Sequence, residues 1–226
     1  MYAKCLKRVM DFTLSLAALT VLSPVLLVLT ILGAIKMKGN PFFVQPRPGK
    51  NEKIFNLIKF RSMTCETDAH GNPLPDEQRL TRYGKFLRSS SLDELPELFN
   101  ILKGDMSIVG PRPQLVRDMV FMTPEQRRRH SVMPGLTGLA QVNGRNNITW
   151  EQKFLYDLAY IDSEITFIKD VKIILRTVLK VFEQADTVRE GTVSDLDFGD
   201  YLLEKGEVTK EVYVLRQEEA RDLLGV

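Results

Sequence analysis

The chain has 226 residues, 44% of them hydrophobic, which is enough for one globular domain with a buried core. Its net charge is only +2, but residues 189–226 hold ten acidic and five basic side chains, so this tail carries −5 and the remainder +7. A basic body favours an anionic ligand or surface. Two cysteines and two histidines without metal-ligand spacing argue against a disulfide framework and a zinc site.

The first predicted element is an apolar segment, residues 12–35, which reads FTLSLAALTVLSPVLLVLTILGAI and contains no charge. As a helix, its roughly 24 residues would reach about 36 Å, enough to cross a bilayer core. Basic residues prefer the cytoplasmic side of a membrane. A re-entrant helix would keep both flanking clusters on that side, whereas a spanning helix would not. The clusters are Lys4, Lys7 and Arg8 before the segment, and Lys36 and Lys38 after it.

Ser23 and Pro24 lie in the middle of this segment and are the expected break of a re-entrant helix. Proline removes one backbone hydrogen bond and kinks a helix, and the Ser23 hydroxyl could satisfy the freed carbonyl. Ordinary membrane helices also contain proline, so the residues alone leave the spanning and re-entrant arrangements equally open. In both, everything after residue 36 shares one side of the membrane, and the cysteine usage favours the cytosol.

The next elements are a hairpin and a short helix. Two apolar runs around a turn at residues 46–51 predict a β-hairpin, and a polar loop then leads to a helix near residues 80–87. Ser91 and Glu94 match a capping box, with Gly104 as the stop of the helix that it opens. Pro96 would instead move the start of the regular helix toward Leu95.

The later elements are mostly helical. MSIVG predicts a short strand, and helices are predicted for residues 114–129 and from residue 150 to about 183. The last helix mixes apolar residues with lysines, which fits an interfacial helix and a core helix about equally. The predicted fold class is α/β, helix-dominated with a small antiparallel sheet, held on the bilayer by one membrane helix and interfacial helices.

Asp93 and Glu94 stand side by side among basic residues that recur near turns and glycines. The plain interpretation is that these acids complement a helix N-terminus and that each basic residue lies on the surface. Alternatively, Asp93 attacks phosphorus and Glu94 holds Mg²⁺, the hard cation that carboxylates and phosphates would bind. Nearby cations would then offset a repulsion of about 4 kcal/mol. The candidate phosphate-binding residues are Lys59, Arg88, Arg112 and Arg145.

Several motifs, in order along residues 4 to about 185, resemble the monotopic phosphoglycosyl transferases, also called bacterial sugar transferases or polyprenyl-phosphate glycosyl-1-phosphate transferases. The motifs include QPRPGKNEKIFNLIKFRSM, RLTRYGKFLRSSSLDELPELFNILKGDMSIVGPRP, PGLTGLAQVNGR and YDLAYID. The compact length is similar to the small, single-domain subgroup. No Walker A or GxGxxG motif is present, so a P-loop or dinucleotide fold is not supported.

The resemblance implies a reaction in which a UDP-sugar and a polyprenyl phosphate, such as undecaprenyl phosphate, give a polyprenyl-diphosphate sugar and UMP. This is the first membrane step of a bacterial glycoconjugate pathway. The implied route is ping-pong: Asp93 becomes covalently attached to the phosphosugar, and Glu94 binds Mg²⁺. Gln141 and Asp157 also fall within matching motifs and are implied as substrate-binding residues. The segment around Ser23 and Pro24 becomes a re-entrant helix, so the protein would be monotopic on the cytoplasmic face of the bacterial inner membrane.

Three regions are predicted: a re-entrant membrane helix over residues 1–38, a cytosolic catalytic domain over 39–185, and an acidic extension over 186–226. The extension departs from the small family core, and it could pack over the site, pair two subunits or dock a downstream glycosyltransferase. Expected partners are the two substrates and membrane lipids, with no nucleic acid. The competing interpretation is a membrane-anchored, lipid-binding scaffold without catalysis, which would not need the acid pair.

Overall fold

The structure is a computed structural model, and it describes residues 2–144, 148–183 and 196–225. Helices predominate, and the described strands form two small two-stranded sheets. The strands are Phe42–Pro48 (β1), Ile54–Phe60 (β2), Ser107–Val109 (β3) and Gly135–Thr137 (β4). The helices are Lys7–Lys36 (α1), Asp76–Arg79 (α2), Arg82–Ser89 (α3), Glu97–Lys103 (α4), Val116–Met119 (α5), Pro124–Arg127 (α6), Leu139–Val142 (α7), Trp150–Asp162 (α8), Phe167–Glu183 (α9), Phe198–Glu204 (α10) and Lys210–Leu224 (α11).

The apolar segment forms α1, a helix of 30 residues that is long and apolar enough to cross a membrane. Pro24 lies inside it, and the assigned helix continues on both sides of the proline. Because proline has no N–H, the carbonyl of Thr20 loses its usual backbone donor. The Ser23 hydroxyl donates a hydrogen bond of 2.8 Å to that carbonyl, which is the compensation expected from the sequence.

Both ends of α1 contact the rest of the protein. Near its start, the Arg8 guanidinium donates to the carbonyls of Ile101 and Leu102, at the end of α4. Near its end, the Tyr83 hydroxyl of α3 donates to the carbonyl of Leu29 at 2.8 Å. The other face is apolar and exposed, with residues such as Val21, Leu27, Val28, Ile31 and Ile35. The helix therefore lies along the folded body and presents an apolar face outward.

The predicted hairpin is confirmed, since β1 and β2 pair antiparallel from Phe42 opposite Phe60 to Pro48 opposite Ile54. The turn is shorter than predicted. Residues 46–48 belong to β1, and the chain reverses at the 3-10 turn that starts at Lys50, where Asn51 has a φ of 53°. Arg47 is consequently a strand residue.

The short strand predicted within MSIVG is confirmed as β3, but the sequence interpretation missed its partner strand and hence the second sheet. Its strands β3 and β4 are parallel, with Ser107 opposite Gly135 and Val109 opposite Thr137. The backbones approach each other so closely that a Cβ on Gly135 would lie 2.1 Å from the amide nitrogen of Gly110. Only glycine fits there. The helix-dominated α/β class with a small antiparallel sheet is confirmed, with this parallel pair in addition.

Two of the predicted helices are interrupted. The helix expected over residues 114–129 is divided into α5 and α6, because Thr123 caps the amide of Gln126 and Pro124 starts a new helix. The helical region from residue 150 is divided into α8 and α9 at Ser163, the C-cap residue of α8. One side of α9 is packed and the other carries exposed apolar side chains, among them Ile168, Leu175 and Leu179.

The described part of the acidic tail packs on the body. Its α10 and α11 contact α5, and the backbone amide of Phe198 donates to the buried Asp118 carboxylate at 2.9 Å. The indole N–H of Trp150 donates to the carbonyl of Leu196 at 3.1 Å. Phe198 also joins Trp150 and Phe154 in an aromatic cluster. Packing on the body is thus observed, while a role in dimerisation or partner docking remains a prediction.

Candidate active site

Asp93 and Glu94 lie on a 3-10 turn, Leu92–Glu94, between α3 and α4. The predicted capping box is wrong: Ser91 has a left-handed backbone with a φ of 56°, and its side chain caps no amide of this turn. The regular helix starts later than Leu95, at Glu97, directly after Pro96. Gly104 ends it in a left-handed conformation, as predicted. The tight turn at Ser91 therefore places the two acids outside a regular helix.

The two acids line a cavity of about 1490 Å³. Residues from β1, β2, α3, α4, α7, α8 and α9 form its walls, and Ala18 and Leu22 of α1 contribute to it. The cavity brings together most of the residues that the sequence suggested, although they are scattered along residues 59–157 of the chain. These are Lys59, Arg88, Asp93, Glu94, Arg112, Gln141 and Asp157. Arg145 lies outside the residues that the structure describes.

Glu94 is held between two cations. Its carboxylate accepts hydrogen bonds from both terminal nitrogens of Arg112, one of them at 3.3 Å, and from the Lys59 ammonium at 3.3 Å. Arg112 follows Pro111 in the GPRP turn after β3, and Lys59 is the penultimate residue of β2. The hairpin and the second sheet thus each supply one cation to the same carboxylate.

A third carboxylate, Glu97, lies in the same cluster and was not foreseen. Its side chain is fully buried, 3.1 Å from the Lys59 ammonium and 3.7 Å from the Arg112 guanidinium. Lys59 and Arg112 are therefore balanced by two carboxylates rather than by Glu94 alone. The sequence alone gave no signal for Glu97, because only the fold brings it next to Lys59 and Arg112.

The environment of Asp93 raises the pKa of its carboxyl to about 6, mainly through burial and then through the neighbouring charge of Glu94. Lys59 and Arg112 act in the opposite direction. Arg88 lies nearby, with its Nε donating to the Ser62 hydroxyl at 3.0 Å. Burial lowers the pKa of Arg88, and the charge of Asp93 opposes that effect. Asp93 is thus a partly desolvated carboxylate among cations.

Asp157 reaches the site through another buried residue, Arg129. The Asp157 carboxylate accepts two hydrogen bonds from Arg129, at 2.6 and 2.9 Å. Arg129 also donates to the backbone carbonyl of Arg112 at 2.7 Å. This ion pair therefore helps to hold the GPRP turn in place. Arg129 is the second site residue, after Glu97, that the sequence did not reveal. A direct contact of Asp157 with substrate remains a prediction.

Gln141 is on α7 in the cavity wall. Both polar atoms of its side-chain amide are buried and have no hydrogen-bond partner within the described residues. Buried amides that lack partners cost free energy. Gln141 is therefore well suited to hydrogen-bond a ligand, and its role in substrate binding stays a prediction.

The acid pair also fits the expected Mg²⁺. Among the residues described, no cluster of three or more Asp, Glu, His or Cys side chains could hold a metal. Mg²⁺ in phosphate-processing enzymes usually takes one or two carboxylates, and substrate phosphates and water complete its coordination. Asp93 and Glu94 supply such a donor set. Because Glu94 is bound to Arg112 and Lys59, a metal would have to share its oxygens with them.

The fold combines one long apolar helix with a charged cavity beside it, and sequence comparison identifies the class. The family model described as "Bacterial sugar transferase" matches residues 2–184. The chain therefore belongs to the bacterial sugar transferases, the polyprenyl-phosphate glycosyl-1-phosphate transferase family. The match includes α1 and the charged cavity residues from Lys59 to Asp157, and it ends before α10.

Curated relatives agree with this assignment. The chain is 49% identical over 176 residues to the uncharacterized sugar transferase EpsL of Bacillus subtilis, covering 78% of this chain and 87% of that protein. It is 37% identical over 188 residues to the exopolysaccharide production protein PSS of Rhizobium leguminosarum bv. phaseoli, covering 77% and 94% of the two chains.

A third relative is much longer. The UDP-glucose:undecaprenyl-phosphate glucose-1-phosphate transferase of Klebsiella pneumoniae is 42% identical over 186 residues. This match covers 78% of the present chain but only 40% of that enzyme. The chain thus spans less than half of the length of this relative.

Proposed function

We propose that the protein transfers a sugar 1-phosphate from a UDP-sugar to a polyprenyl phosphate, such as undecaprenyl phosphate, and releases UMP. The observation that carries the proposal is the position of Asp93, a partly desolvated carboxylate in a cavity with Lys59, Arg88 and Arg112. Two relatives named as UDP-glucose:undecaprenyl-phosphate glucose-1-phosphate transferases support the substrate classes. The identity of the sugar is left open.

The proposed reaction has two displacements at one phosphorus. In the first, an oxygen of Asp93 attacks the sugar-side phosphorus, the bond to the bridging oxygen breaks, and UMP leaves with that electron pair. In the second, a phosphate oxygen of the polyprenyl phosphate attacks the same phosphorus and Asp93 leaves as a carboxylate. A phosphate monoester is largely dianionic near pH 7, so the second step needs little help from a general base.

The cations make the first attack possible. A carboxylate and a phosphate oxygen roughly 4 Å apart repel each other by about 4 kcal/mol at an effective dielectric of about 20. Arg112 and Lys59 lower this cost by attracting the incoming phosphates, and Glu94 holds both cations in place. When bound by Glu94, Mg²⁺ would supply Lewis-acid stabilisation of negative charge on phosphate oxygens.

We also propose that α1 is re-entrant and that the body lies on the cytoplasmic face of the inner membrane. Arg8 and Leu29, at opposite ends of α1, both contact the same folded body. These two positions are about 32 Å apart along a helix, which is close to the thickness of a bilayer core. A spanning α1 would pull the charged α3–α4 region into lipid, whereas an α1 lying in one leaflet does not.

The experiment that tests the reaction uses labelled UDP-sugars with Mg²⁺ and no lipid acceptor. The wild-type protein should release UMP and retain label on Asp93. Asp93→Asn should abolish both, because an amide is a poor nucleophile, while folding and membrane association remain intact. Asp162→Asn, which changes an exposed carboxylate outside the cavity, is the matched control.

The competing mechanisms give different results in the same assay. UMP release that requires the polyprenyl phosphate would favour direct transfer between the two bound substrates. Unchanged UMP release from Asp93→Asn would refute its role as nucleophile. Binding of lipid without UMP release from any UDP-sugar would favour the scaffold interpretation.

A further inference from the structure

Arg47 is a cation of the same cavity that the proposed reaction does not use. It lies on β1 and lines the cavity wall. Its guanidinium donates to the carbonyl of Pro113 at 3.3 Å and to the side-chain oxygen of Gln45 at 2.8 Å. Its Nε is buried and has no hydrogen-bond partner within the described residues. Both acceptors are neutral, so the positive charge of Arg47 is not compensated by them.

Four other cations of the cavity wall differ in this respect. Lys59 and Arg112 are paired with Glu94 and Glu97. The other two pairs are Arg79 with Asp76 and Arg117 with Asp197. Among the described residues, no carboxylate is in ion-pair contact with Arg47, whose hydrogen-bond acceptors are two neutral oxygens.

A partly buried cation without a carboxylate in direct contact is costly, and an incoming anion relieves that cost. Burial and the positive charge of Arg112 lower the pKa of Arg47 to about 10, against the opposing charges of Asp118, Glu97 and Asp197, so Arg47 remains protonated at neutral pH. Arg47 also contacts the turn that contains Arg112, because its guanidinium donates a hydrogen bond to the carbonyl of Pro113, the residue after Arg112. The free donor therefore lies close to the main cation cluster.

We propose that Arg47 binds a phosphate oxygen of a substrate, in a second anion position beside that of Arg112. This inference rests on the proposed function, which brings two phosphate-bearing substrates to one cavity in turn. A guanidinium is well matched to phosphate because its planar donors reach two oxygens at once. The phosphate is either that of the nucleotide side or that of the polyprenyl phosphate.

The test measures binding to the full-length protein in detergent micelles or nanodiscs. The probes are UMP, which carries the nucleotide-side phosphate, and a short-chain polyprenyl phosphate. Arg47→Gln should weaken one of the two by more than tenfold, and the affected probe identifies the source of the phosphate. Arg47→Lys should weaken the same probe by only about two- to fivefold, because it keeps the charge but not the planar donors. Arg127→Gln, which removes a half-buried arginine outside the cavity, should change neither.

The alternative is that Arg47 only braces the turn at Pro113. In that case Arg47→Lys would be as defective as Arg47→Gln, and both would lower the melting temperature in parallel with binding. That result, or unchanged affinity for both probes in Arg47→Gln, overturns the proposal. If Arg47→Gln does not fold, Arg47→Lys decides alone: affinity for both probes equal to that of the wild type refutes the site.

These binding measurements need no turnover, so they separate this inference from the reaction. Arg47-dependent UMP or lipid binding without label on Asp93 would leave the anion site standing and remove the covalent mechanism. Label on Asp93 together with normal binding by Arg47→Gln would do the reverse.

Discussion

At the scale of single residues, the charge balance around Asp93 depends on Glu97. This fully buried carboxylate shares Lys59 and Arg112 with Glu94, so two positive and two negative charges meet in one cluster. Such a balance keeps the empty site from carrying a large uncompensated charge in a region of low dielectric. It also limits how strongly the two cations attract a phosphate.

Replacing Glu97 with glutamine should therefore tighten phosphate binding. Removing one negative charge beside Lys59 and Arg112 leaves the cluster with a net positive charge, and we expect UMP to bind about tenfold more tightly, roughly 1.4 kcal/mol. Calorimetric titration of UMP checks this. Glu125→Gln, at an exposed glutamate of α6, should leave the affinity unchanged. Weaker UMP binding by Glu97→Gln would contradict the charge-balance argument.

His130 predicts a pH dependence of stability. Burial lowers the pKa of this imidazole from 6.5 to about 4 in the folded protein, and the charge of Arg129 adds to the effect. The unfolded chain therefore binds a proton more readily, so this stabilising contribution is complete above about pH 6.5 and is lost as the pH falls toward 4. The loss is at most about 1.4 kcal/mol per pH unit.

The comparison of wild type with His130→Gln measures that contribution. Asp118, whose pKa burial raises to about 6, acts in the opposite direction over part of the same range, so the difference between the two proteins is the relevant quantity. Thermal unfolding between pH 7 and pH 5 should show the wild type losing its advantage over His130→Gln as the pH falls. Parallel curves would show that His130 does not titrate as described.

At the scale of elements, α10 is attached to the body by aromatic packing. Phe198 is 4% exposed and packs on Trp150 and Phe154. Phe198→Ala should lower stability by about 3 kcal/mol or more through the cavity that it leaves. Trp150 is the only tryptophan, so its emission should shift to longer wavelength as α10 loosens. Leu215→Ala, at an exposed position of α11, should change neither stability nor emission.

The elements that the sequence revealed are those specified by local chemistry. The glycine and proline residues of the turn predict the hairpin, the uncharged run predicts α1, and Gly104 predicts the end of α4. The missed features depend on distant parts of the chain. Three-residue strands such as β3 and β4 carry too few side chains to reveal their pairing, and the left-handed backbone of Ser91 overrides a capping pattern that is correct in isolation.

The site was predictable to a similar extent. Asp93, Glu94, Lys59 and Arg112 stand out because charged residues cluster around turns, and the cavity does bring them together. Glu97 and Arg129 did not stand out, because each is paired with a residue that only the fold brings near. Buried ion pairs of this kind have no signature in a single sequence.

At the scale of the whole molecule, α1 contacts the folded body near both of its ends. The residues that flank α1 should therefore lie on the same side of the membrane as the body. Cys5 and Cys65 are exposed, so each can serve as a labelling site when the other is replaced by serine. A third variant would carry only Lys38→Cys. The assay uses intact cells whose outer membrane has been removed or made permeable. A maleimide that cannot cross the inner membrane should label none of the three cysteines in these cells, and it should label all three after lysis. Reaction of position 5 or 38 in intact cells would contradict the re-entrant arrangement.

The contribution of Ala18 and Leu22 to the cavity wall has a consequence for how an acceptor arrives. On the proposed topology, the helix that enters the leaflet also borders the chamber that holds Asp93. A lipid carrier would reach the chamber by lateral diffusion and would never have to extract its chain into water. Encounter would then be a two-dimensional search, governed by surface density in the leaflet rather than by bulk concentration.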